Sequence, residues 1–450
     1  MEKSIVNPPA LAKPVGYSHG ILTQGGKILF LAGQTGMDAT GAIVAPDDVV
    51  AQFRLALTNL HAVVTDAGAQ MTDIVKLNIF VVNKKAYQAH AREIGQVYRE
   101  FFGKMDFSIT DSQRAVQERA REFAQKRVAP LAREMDERGA MPLELVREMG
   151  ARGLLGGPLP RAYGGEEWDA VALALCYEEL GCVDSSVRGF MTVHTSLVSQ
   201  CILKWGTDAQ REKYLPRLAR GEWIGCYCLT EPNAGSDAAS MESVARADGD
   251  AFVLNGEKIW ITNGGIADVG IVFASVDRAL KHKGICAFLV DLKAPGIRRE
   301  KMPGKELGHR ASDHARIFFE NCRVPQTALL GERGQGFRVA MSALDHGRLG
   351  VAAGALGVAQ ACLDASVAFA RTRRQFGQRI GDFEMIQSAL ANMAADVDAA
   401  RLLVYHAAWL HARGERVTRA TSVAKLFATE AAVRAASEAV LLHGGRGYSN

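Results

Sequence analysis

The chain changes character at Lys104–Met105, and this change limits what it can fold into more than any other feature of its sequence. Residues 1–104 mix strand and helix signals, which is typical of a small α+β domain. The pattern then becomes helical over residues 105–224, strand-like over residues 225–334 and helical again over residues 335–450. A chain of 450 residues is long enough for several separate cores. We therefore predict four domains with these bounds, an α+β domain followed by a helical, a β and a second helical domain.

The front domain is predicted from two apolar runs and two helical patterns. Residues 28–32 and 74–82 are rich in Ile, Leu, Val and Phe, as strands are. Residues 50–64 repeat apolar side chains at helical spacing behind an Asp-Asp pair at residues 47–48, which can cap that helix. A second helix is expected over residues 87–102. The order predicted for the front domain as a whole, β-β-α-β-α, ends without closing strands, so the predicted α+β domain is incomplete.

The later domains carry clearer helix and turn signals. Thr110 or Asp111 is expected to cap a long first helix that Pro130 interrupts. Asn255-Gly256 lies between two apolar runs, is typical of a type I′ turn, and predicts a β-hairpin. Further helices are predicted over residues 142–150, 169–180, 190–205, 335–371, 383–412 and 418–442, and further strands over residues 269–276, 285–292 and 315–319.

Composition argues against several classes of protein. The formal net charge is only +4 and no dense Lys/Arg tract occurs, so nucleic-acid binding has no support. The eight cysteines form no C-x-x-C pair or Cys/His metal spacing, so we predict no metal site and a reducing, cytoplasmic compartment. The N-terminus lacks the apolar core of a signal peptide. Residues 349–370 are rich in small apolar residues but include Gln360 and Asp364, which favours a packed helix over a membrane span.

Two polar segments of the β domain carry the strongest functional signals. Residues 229–237 place the hydroxyls of Thr230 and Ser236 around a Gly-containing turn, whose amides can face an anionic or polar ligand. Residues 260–263, Trp-Ile-Thr-Asn, end a predicted strand. From the residues alone, a polar surface turn and a core tryptophan are the simpler interpretations.

Taken together, residues 105–450 resemble the acyl-CoA dehydrogenase family. Residues 230–237 are similar to its flavin-binding signature, and residues 255–263 are similar to a second signature. The resemblance implies a helical domain, a middle β domain and a C-terminal four-helix bundle, assembled as a homotetramer. It also implies α,β-dehydrogenation of an acyl-CoA thioester, in which FAD takes a hydride from the β-carbon and an electron-transfer flavoprotein receives the electrons.

The resemblance implies FAD contacts in three parts of the chain. Those expected at the isoalloxazine and ribityl portions are Tyr227, Cys228, Leu229, Thr230, Gly235, Ser236, Trp260, Ile261 and Thr262. A second group of residues is similar to family residues that reach the FAD of a neighbouring subunit. This group is Arg373, Phe376 and Gln387. Those at the adenine end are Gly444 and Gly445, together with Leu441, which stands where a glutamine is frequent.

Three residues are implied to contact the substrate. Asp345 and Arg348 are similar to a pair that contacts the pantetheine of CoA, and Ser236 is expected to contact substrate as well as flavin. From spacing alone, Asp345 and Arg348 also fit an ordinary i,i+3 ion pair on a helix surface.

The catalytic base is the one expected part without a candidate. The α-proton of a thioester is weakly acidic, so its removal needs a carboxylate of raised pKa in a dry site. Most of the family place this glutamate in a Tyr-Glu-Gly-Thr-like sequence beyond the Gly-Gly segment, and the sequence ends at Asn450 before such a segment. A minority place it on the first helix of the last domain, at a position that matches Gly347. We therefore expect no catalytic base and an impaired dehydrogenase.

Residues 8–104 resemble the Rid-type imine/enamine deaminase family, whose members are trimers that hydrolyse reactive 2-imino acids. The segments that carry the resemblance are residues 16–19, 31–35 and 97–104. Tyr17 and Gly33 match its site positions, whereas its substrate-binding arginine and a glutamate would follow where Met105 begins the second pattern.

Three functional hypotheses follow. The first is a FAD-dependent acyl-CoA dehydrogenase-type flavoprotein. The second, of a different class, is a catalytically silent scaffold that binds FAD and CoA. The third is an imine deaminase acting through the front domain. The acyl group is not predicted, because the depth of an acyl pocket is set by tertiary packing.

Overall fold

The computed structural model describes residues 3–11, 19–23, 28–71, 74, 77, 79–81, 83–102, 109–304 and 306–449. Contacts between Cα atoms divide the chain into two compact units, Met1–Ser108 and Ile109–Asn450. Each unit has its own hydrophobic core. The predicted seam at Lys104–Met105 and the predicted site residue Tyr17 lie outside the described residues.

The front unit combines a small sheet with helices. Strands β1 (Lys3–Val6), β2 (Gly20–Thr23) and β3 (Ile28–Leu31) pair antiparallel in that order. Helices α1 (Val49–Asp66), α2 (Lys84–Ala89) and α3 (Ala91–Phe102) follow. The Asp48 carboxylate accepts hydrogen bonds from the first backbone amides of α1, so the predicted cap is confirmed. Buried side chains of α1 and α3 share one core, formed around Leu57, Leu60, Val64 and Val97.

Two predictions for the front unit are wrong. The described positions within the expected strand at residues 74–82, which are 74, 77 and 79–81, belong to no strand. Apolar composition favours a strand only where a neighbouring strand supplies the hydrogen-bond ladder, and β1, β2 and β3 pair only with one another among the described strands. The helix expected over residues 87–102 is divided at His90, so it forms α2 and α3.

The second unit begins with the predicted helical region. Helix α4 (Asp111–Phe123) starts at Thr110, which forms a capping box with Gln113. Pro130 interrupts the helix as predicted: a π-helical stretch (Ala124–Val128) and a 3₁₀ turn (Ala129–Leu131) precede α5 (Ala132–Arg138). The remaining helices of this region are α6 (Leu143–Ala151), α7 (Ala170–Gly181), α8 (Ser185–Met191), a π-helical stretch (Thr192–Ser199), α9 (Gln200–Trp205) and α10 (Asp208–Ala219).

The middle of the second unit is an eight-stranded sheet. Its strands are β4 (Gly225–Cys228), β5 (Val244–Asp248), β6 (Ala251–Thr262), β7 (Val269–Ser275), β8 (Ile285–Asp291), β9 (Ile297–Lys301), β10 (His314–Pro325) and β11 (Leu329–Leu330). The order is β11-β8-β7-β5-β6-β10-β9, and β4 pairs with β7 in parallel.

The hairpin predicted at Asn255-Gly256 is wrong, because β6 runs through both residues as one strand. The chain instead turns between β5 and β6, where Gly249 adopts a φ of 60°. Glycine is needed at position 256 for another reason. Its φ is 149°, and a Cβ there would lie 2.3 Å from Ser243 Oγ on the approach to β5.

Three long helices follow the sheet, close to their predicted bounds. They are α11 (Gly336–Thr372), α12 (Glu384–Ala412) and α13 (Thr418–His443). A two-stranded hairpin, β12 (Arg374–Gln375) and β13 (Gln378–Arg379), connects α11 to α12, and α14 (Gly445–Tyr448) ends the described chain. Among the described residues only α11 is long and apolar enough to cross a membrane, with a mean hydropathy of 1.5. It packs against α7, α12 and α13, as a core helix does.

Candidate active site

One cavity of the second unit brings together residues from distant segments that the sequence singled out. It has a volume of about 610 Å³ and is lined by Thr262 at the end of β6 and by Gly347 and Arg348 of α11. Its other walls come mainly from α8, from the π-helical stretch that follows α8, and from the loop ahead of β10. Because a helical, a β and a second helical region all contribute, this cavity is the candidate site.

A buried ion pair joins the two predicted flavin segments. Lys258 Nζ of β6 lies 2.5 Å from Oε1 of Glu231, in the loop after β4, and both side chains are buried. Lys258 also donates to the backbone oxygen of Leu229, and Glu231 accepts from the amides of residues 242–243. Burial alone would raise the pKa of Glu231, but the Lys258 charge and these hydrogen bonds outweigh it and hold the pKa below its ordinary value. The pair therefore fixes the loop of residues 229–236 against β6.

Strand β6 ends in an unusual backbone conformation. Trp260 and Asn263 have φ angles of 56° and 66°, in a region that residues other than glycine seldom adopt. Asn263 is held there because its side-chain amide donates to the backbone oxygen of Gly225 at 3.2 Å. Ile261 is buried, whereas Trp260 remains 51% exposed and Thr262 faces the cavity. The interpretation of Trp260 as a core residue is therefore wrong.

Strand β4 ends in buried residues, and the loop after it opens to the surface. The side chains of Tyr227 and Cys228 in β4 are buried, and the Tyr227 hydroxyl donates to the backbone oxygen of Ala340 at 3.2 Å. Gly235 and Ser236 are exposed, and no atom lies within 4 Å of the position that a Cβ of Gly235 would take. Any side-chain contact with a ligand at the surface therefore falls to the later part of the loop.

The groups present fit a flavin. An exposed indole can pack against the face of an aromatic ring system, and Trp260 offers one. Hydroxyls both donate and accept hydrogen bonds, as the carbonyl oxygens and ring nitrogens of a flavin require, and Thr262 and Ser236 supply them. The open backbone at Gly235 leaves amide groups accessible beside them. Trp260, Thr262, Gly235 and Ser236 are thus the residues that would hold FAD.

The other residues expected at FAD lie elsewhere on the second unit. Arg373 and Phe376 belong to the connection between α11 and α12, where Phe376 is 93% exposed, and Gln387 donates to the backbone oxygen of Gly381 at 3.0 Å. At the end of α13, the exposed residues are Leu441, Gly444 and Gly445. None of these six residues lines the cavity.

The two residues expected at CoA form an ion pair beside the cavity. Arg348 Nη1 lies 2.6 Å from Asp345 Oδ1, and the other oxygen of Asp345 accepts from the Thr418 hydroxyl at 2.9 Å. Arg348 lines the cavity, and both side chains are only partly exposed. Asp345 therefore fixes Arg348 at the cavity wall by tying it to the start of α13.

The described cavity wall carries no carboxylate. None of its lining residues is Asp or Glu, and Gly347, which has no side chain, is one of them. A Cβ at Gly347 would lie 3.0 Å from Leu197 Cδ2. His309 also lines the cavity, but burial, and then the charge of Arg188, lower its pKa to about 4. It is therefore a weak base at neutral pH.

Several residues of this site were not found from the sequence. Lys258 and Glu231 are far apart along the chain, and no spacing rule pairs them. Arg188 is the single charged residue of α8, a pattern that does not reveal its burial. His309 and His314 both line the cavity, yet no group of three His, Cys, Asp or Glu side chains that could hold a metal occurs in the described part of the chain.

Comparison with protein families gives four matches. Models described as the N-terminal, middle and C-terminal domains of acyl-CoA dehydrogenase match residues 110–222, 226–322 and 334–450. A model described as endoribonuclease L-PSP matches residues 8–119.

Individual relatives cover the second unit. A short-chain specific acyl-CoA dehydrogenase of Clostridium acetobutylicum is 41% identical over 77% of this chain and 91% of its own length. A chain from the structure of the electron transferring flavoprotein of Acidaminococcus fermentans is 41% identical, with a TM-score of 0.75 over 77% of this chain and 90% of that one. A glutaryl-CoA dehydrogenase from Mycobacterium smegmatis, solved in complex with FADH2, is 34% identical, with a TM-score of 0.72 over 77% of this chain and 88% of that one.

Proposed function

This chain belongs to the acyl-CoA dehydrogenase family, and we propose that its second unit binds FAD and an acyl-CoA thioester at the cavity beside Thr262. The family matches confirm both resemblances and the fold class predicted from the sequence. The observation that carries the proposal is the convergence of Thr262, Gly347 and Arg348 on that one cavity. The family reaction is an oxidation, in which an α-proton and a β-hydride leave as a carbon–carbon double bond forms.

Each group of residues has a proposed task. When bound, FAD supplies the hydride acceptor for the β-carbon. Trp260 and Thr262 orient the flavin at the cavity mouth, and the Lys258–Glu231 pair holds their strand against the loop. Arg348, positioned by Asp345, contacts the CoA portion. The apolar side chains of Val193, Leu197 and Leu344 exclude water from the acyl chain.

Proton removal is the weak step of this proposal. No carboxylate lines the described cavity, and Gly347 offers no side chain where a base would act. We therefore propose that binding is retained while dehydrogenation by these residues is slow. The alternative is that the protein is a silent scaffold for FAD and CoA, and the same cavity supports it.

A flavin-bleaching experiment separates the two functions. The purified yellow protein is mixed without oxygen with acyl-CoA thioesters of several chain lengths. Slow loss of the oxidised flavin absorbance supports the dehydrogenase, whereas bound acyl-CoA without bleaching supports the scaffold. A protein that is folded but takes up no FAD contradicts both.

Partners follow from exposed surfaces. Leu426, Val433 and Val440 place exposed apolar side chains at seven-residue intervals along α13, which suits burial against a second copy in a homotetramer. The exposed residues Arg373 and Phe376 would then reach the FAD of a neighbouring subunit.

We further propose that an electron-transfer flavoprotein receives the electrons, since a chain in the structure of such a protein is 41% identical to this one. All eight cysteines are free thiols, which fits the proposed cytoplasmic location.

The front unit receives no proposed activity. Of the two positions expected to form an imine deaminase site, Tyr17 lies outside the described residues. Gly33 is exposed, and no atom lies within 4 Å of the position that its Cβ would take. No observation on the described residues therefore favours the deaminase hypothesis.

A further inference from the structure

A histidine and a glutamate form a hydrogen-bonded pair at the wall of the cavity. His314, the first residue of β10, lines the cavity, whereas Glu306 belongs to the loop ahead of β10 and does not line it. His314 Nδ1 lies 3.1 Å from Glu306 Oε1, and the two side chains are 19% and 22% exposed. An ionised carboxylate only accepts hydrogen bonds, so Nδ1 carries the hydrogen of this contact. The pair therefore fixes both the orientation and the tautomer of the imidazole.

The second ring nitrogen of His314 is available to a ligand. Its Nε2 has no hydrogen-bond partner within the part of the chain that the structure describes. When the neutral ring carries its hydrogen on Nδ1, Nε2 holds a lone pair that can accept a proton. An imidazole aligned by a carboxylate in this way is the arrangement in which histidine commonly acts as a general base. His309, the other histidine of the wall, has no such carboxylate among the described residues.

His314 stands directly opposite the residue proposed to orient the flavin. In the antiparallel ladder between β6 and β10, the Cα partner of His314 is Thr262. Residues directly opposite in such a ladder project from the same face of the sheet, with Cβ atoms roughly 4.5–5.5 Å apart. Both side chains line the cavity. The imidazole is therefore placed beside the proposed flavin edge.

Backbone hydrogen bonds hold this end of the sheet in place. The amide of Asn263, the residue after β6, donates to the backbone oxygen of Asp313 at 2.7 Å. The amide of Met302 donates to the backbone oxygen of His314 at 2.9 Å. A catalytic group is effective only where rigid elements fix its position, and these contacts fix His314 relative to Thr262.

The family reaction sets what a base at this point can do. The hydride leaves the β-carbon for the flavin, and the α-carbon is bonded directly to that β-carbon, so the α-proton is also released close to the flavin. As the α C–H bond breaks, its electron pair forms the carbon–carbon double bond and the proton forms an N–H bond at a base. The two electrons of the β C–H bond leave with the hydride, for which FAD is the oxidant.

We propose that His314 Nε2 accepts the α-proton of the bound thioester and that Glu306 positions His314 for this step. The inference rests on the proposed function and deepens it, because it names the group through which the slow dehydrogenation runs. Glu306 also stabilises the imidazolium that forms when the proton arrives. His314 is thus a catalytic residue, and Glu306 is a positioning residue that acts through it.

Exchange of the α-protons with deuterium tests the inference without net turnover. The yellow protein is kept in D₂O without oxygen and with butanoyl-CoA or octanoyl-CoA, and deuterium gained at the α-carbon is measured by mass spectrometry. The same measurement is repeated after FAD has been removed, so that it does not depend on the flavin. We expect exchange above the rate in buffer, and a fall of roughly 10²–10⁴-fold in His314→Gln, the usual contribution of a positioned base. His282→Gln, at an exposed histidine outside the cavity wall, is the matched control.

Two further measurements distinguish a base from a structural role. In His314→Ala, added imidazole should enter the vacated space and restore part of the exchange, whereas it should not accelerate exchange in the wild type. Glu306→Gln retains an oxygen that accepts from Nδ1, so it should keep more exchange than Glu306→Leu, which has a similar size. Calorimetry should give the same thioester affinity for all these variants. If the His314 variants do not fold, the two Glu306 variants still decide.

The possible outcomes separate this inference from the proposed function. A wild type that binds a thioester but exchanges its α-protons no faster than buffer would overturn the inference and leave the proposed binding site standing. Undiminished exchange in His314→Gln would also overturn it, because another group would then remove the proton. A yellow protein that binds neither thioester would contradict the proposed acyl-CoA site and the inference with it.

Discussion

Lys258 Nζ lies 2.5 Å from Glu231 Oε1 inside the β region, and neither side chain reaches solvent. Removing one partner of such a pair typically reduces stability by about 3–5 kcal/mol, because the other charge stays buried. We therefore expect Lys258→Met to lower the free energy of unfolding in urea by that order and to reduce the FAD content. The double variant Lys258→Met/Glu231→Leu should recover most of the stability. Equal destabilisation of the single and the double variant would show that the charge pairing is unimportant.

The Lys258–Glu231 pair also predicts how the free energy of unfolding depends on pH. The pKa of Glu231 in the folded protein lies below its ordinary value of 4.5. Its contribution to stability is therefore fully present above the unfolded pKa and is lost as the pH falls through the folded pKa. Unfolding of the wild type and of Glu231→Gln is compared from about pH 7 down to about pH 3. The difference between their unfolding free energies should be constant near neutrality and shrink below pH 4.5. A difference that grows on acidification would contradict the assignment.

Local signals predicted the elements that depend on nearby residues. The cap at Thr110 and the long helices α11, α12 and α13 were predicted because capping and helical periodicity are encoded within a few turns. The hairpin at Asn255-Gly256 was wrong because β6 continues through it, paired with β5 up to Asn255 and with β10 on either side of a register shift. Pairing with these two neighbouring strands overrides the local turn signal.

The site residues divide in the same way, into those that a local motif predicts and those that depend on tertiary packing. Thr262, Gly347 and Arg348 were predicted from motifs, and the fold brings them to one cavity. Arg188 at the cavity wall was not predicted, because its burial beside Gly354 depends on the packing of α8 against α11, which no local pattern encodes.

Trp260 gives a test of flavin binding that is largely separate from stability. Because its side chain is half exposed, Trp260→Ala removes less buried area than the same change at a core tryptophan would. We expect it to weaken FAD binding by roughly tenfold, measured by fluorescence titration of the FAD-free protein, with little change in Tm. Leu280→Ala is the matched control, since Leu280 is similarly exposed and does not line the cavity. An unchanged affinity in Trp260→Ala would remove Trp260 from the proposed flavin site.

The exposed apolar positions of α13 predict the effect of a charge on assembly. Leu426 is 64% exposed, and Leu426→Glu would place a carboxylate in the proposed contact with a second copy. We expect a smaller particle by light scattering coupled to size-exclusion chromatography, with helix content unchanged. Leu143→Glu, a similar change at an exposed leucine of α6, should leave the particle size unaltered. Identical masses for wild type and Leu426→Glu would exclude this surface as the interface.

Gly347 allows a direct test of whether a carboxylate on the described cavity wall can act as the base. The first neighbour of a new Cβ is the end of the flexible Leu197 side chain, at 3.0 Å, and the cavity of about 610 Å³ has room for a longer side chain. Gly347→Glu should therefore place a carboxylate at the cavity wall, and bleaching of the flavin by a bound acyl-CoA should accelerate by roughly 10²–10⁴-fold, the usual contribution of a positioned base. Gly347→Gln has nearly the same size and cannot take the proton, so it should bleach as slowly as the wild type.

Both Gly347 variants replace a glycine inside α11 and should gain up to about 1 kcal/mol of helix stability. Thermal unfolding of both variants checks that they fold. A faster rate in Gly347→Glu alone then assigns the slow step to proton removal. Equal rates in the two variants would show that a carboxylate at this position does not act as the base, and that the described cavity serves binding rather than turnover.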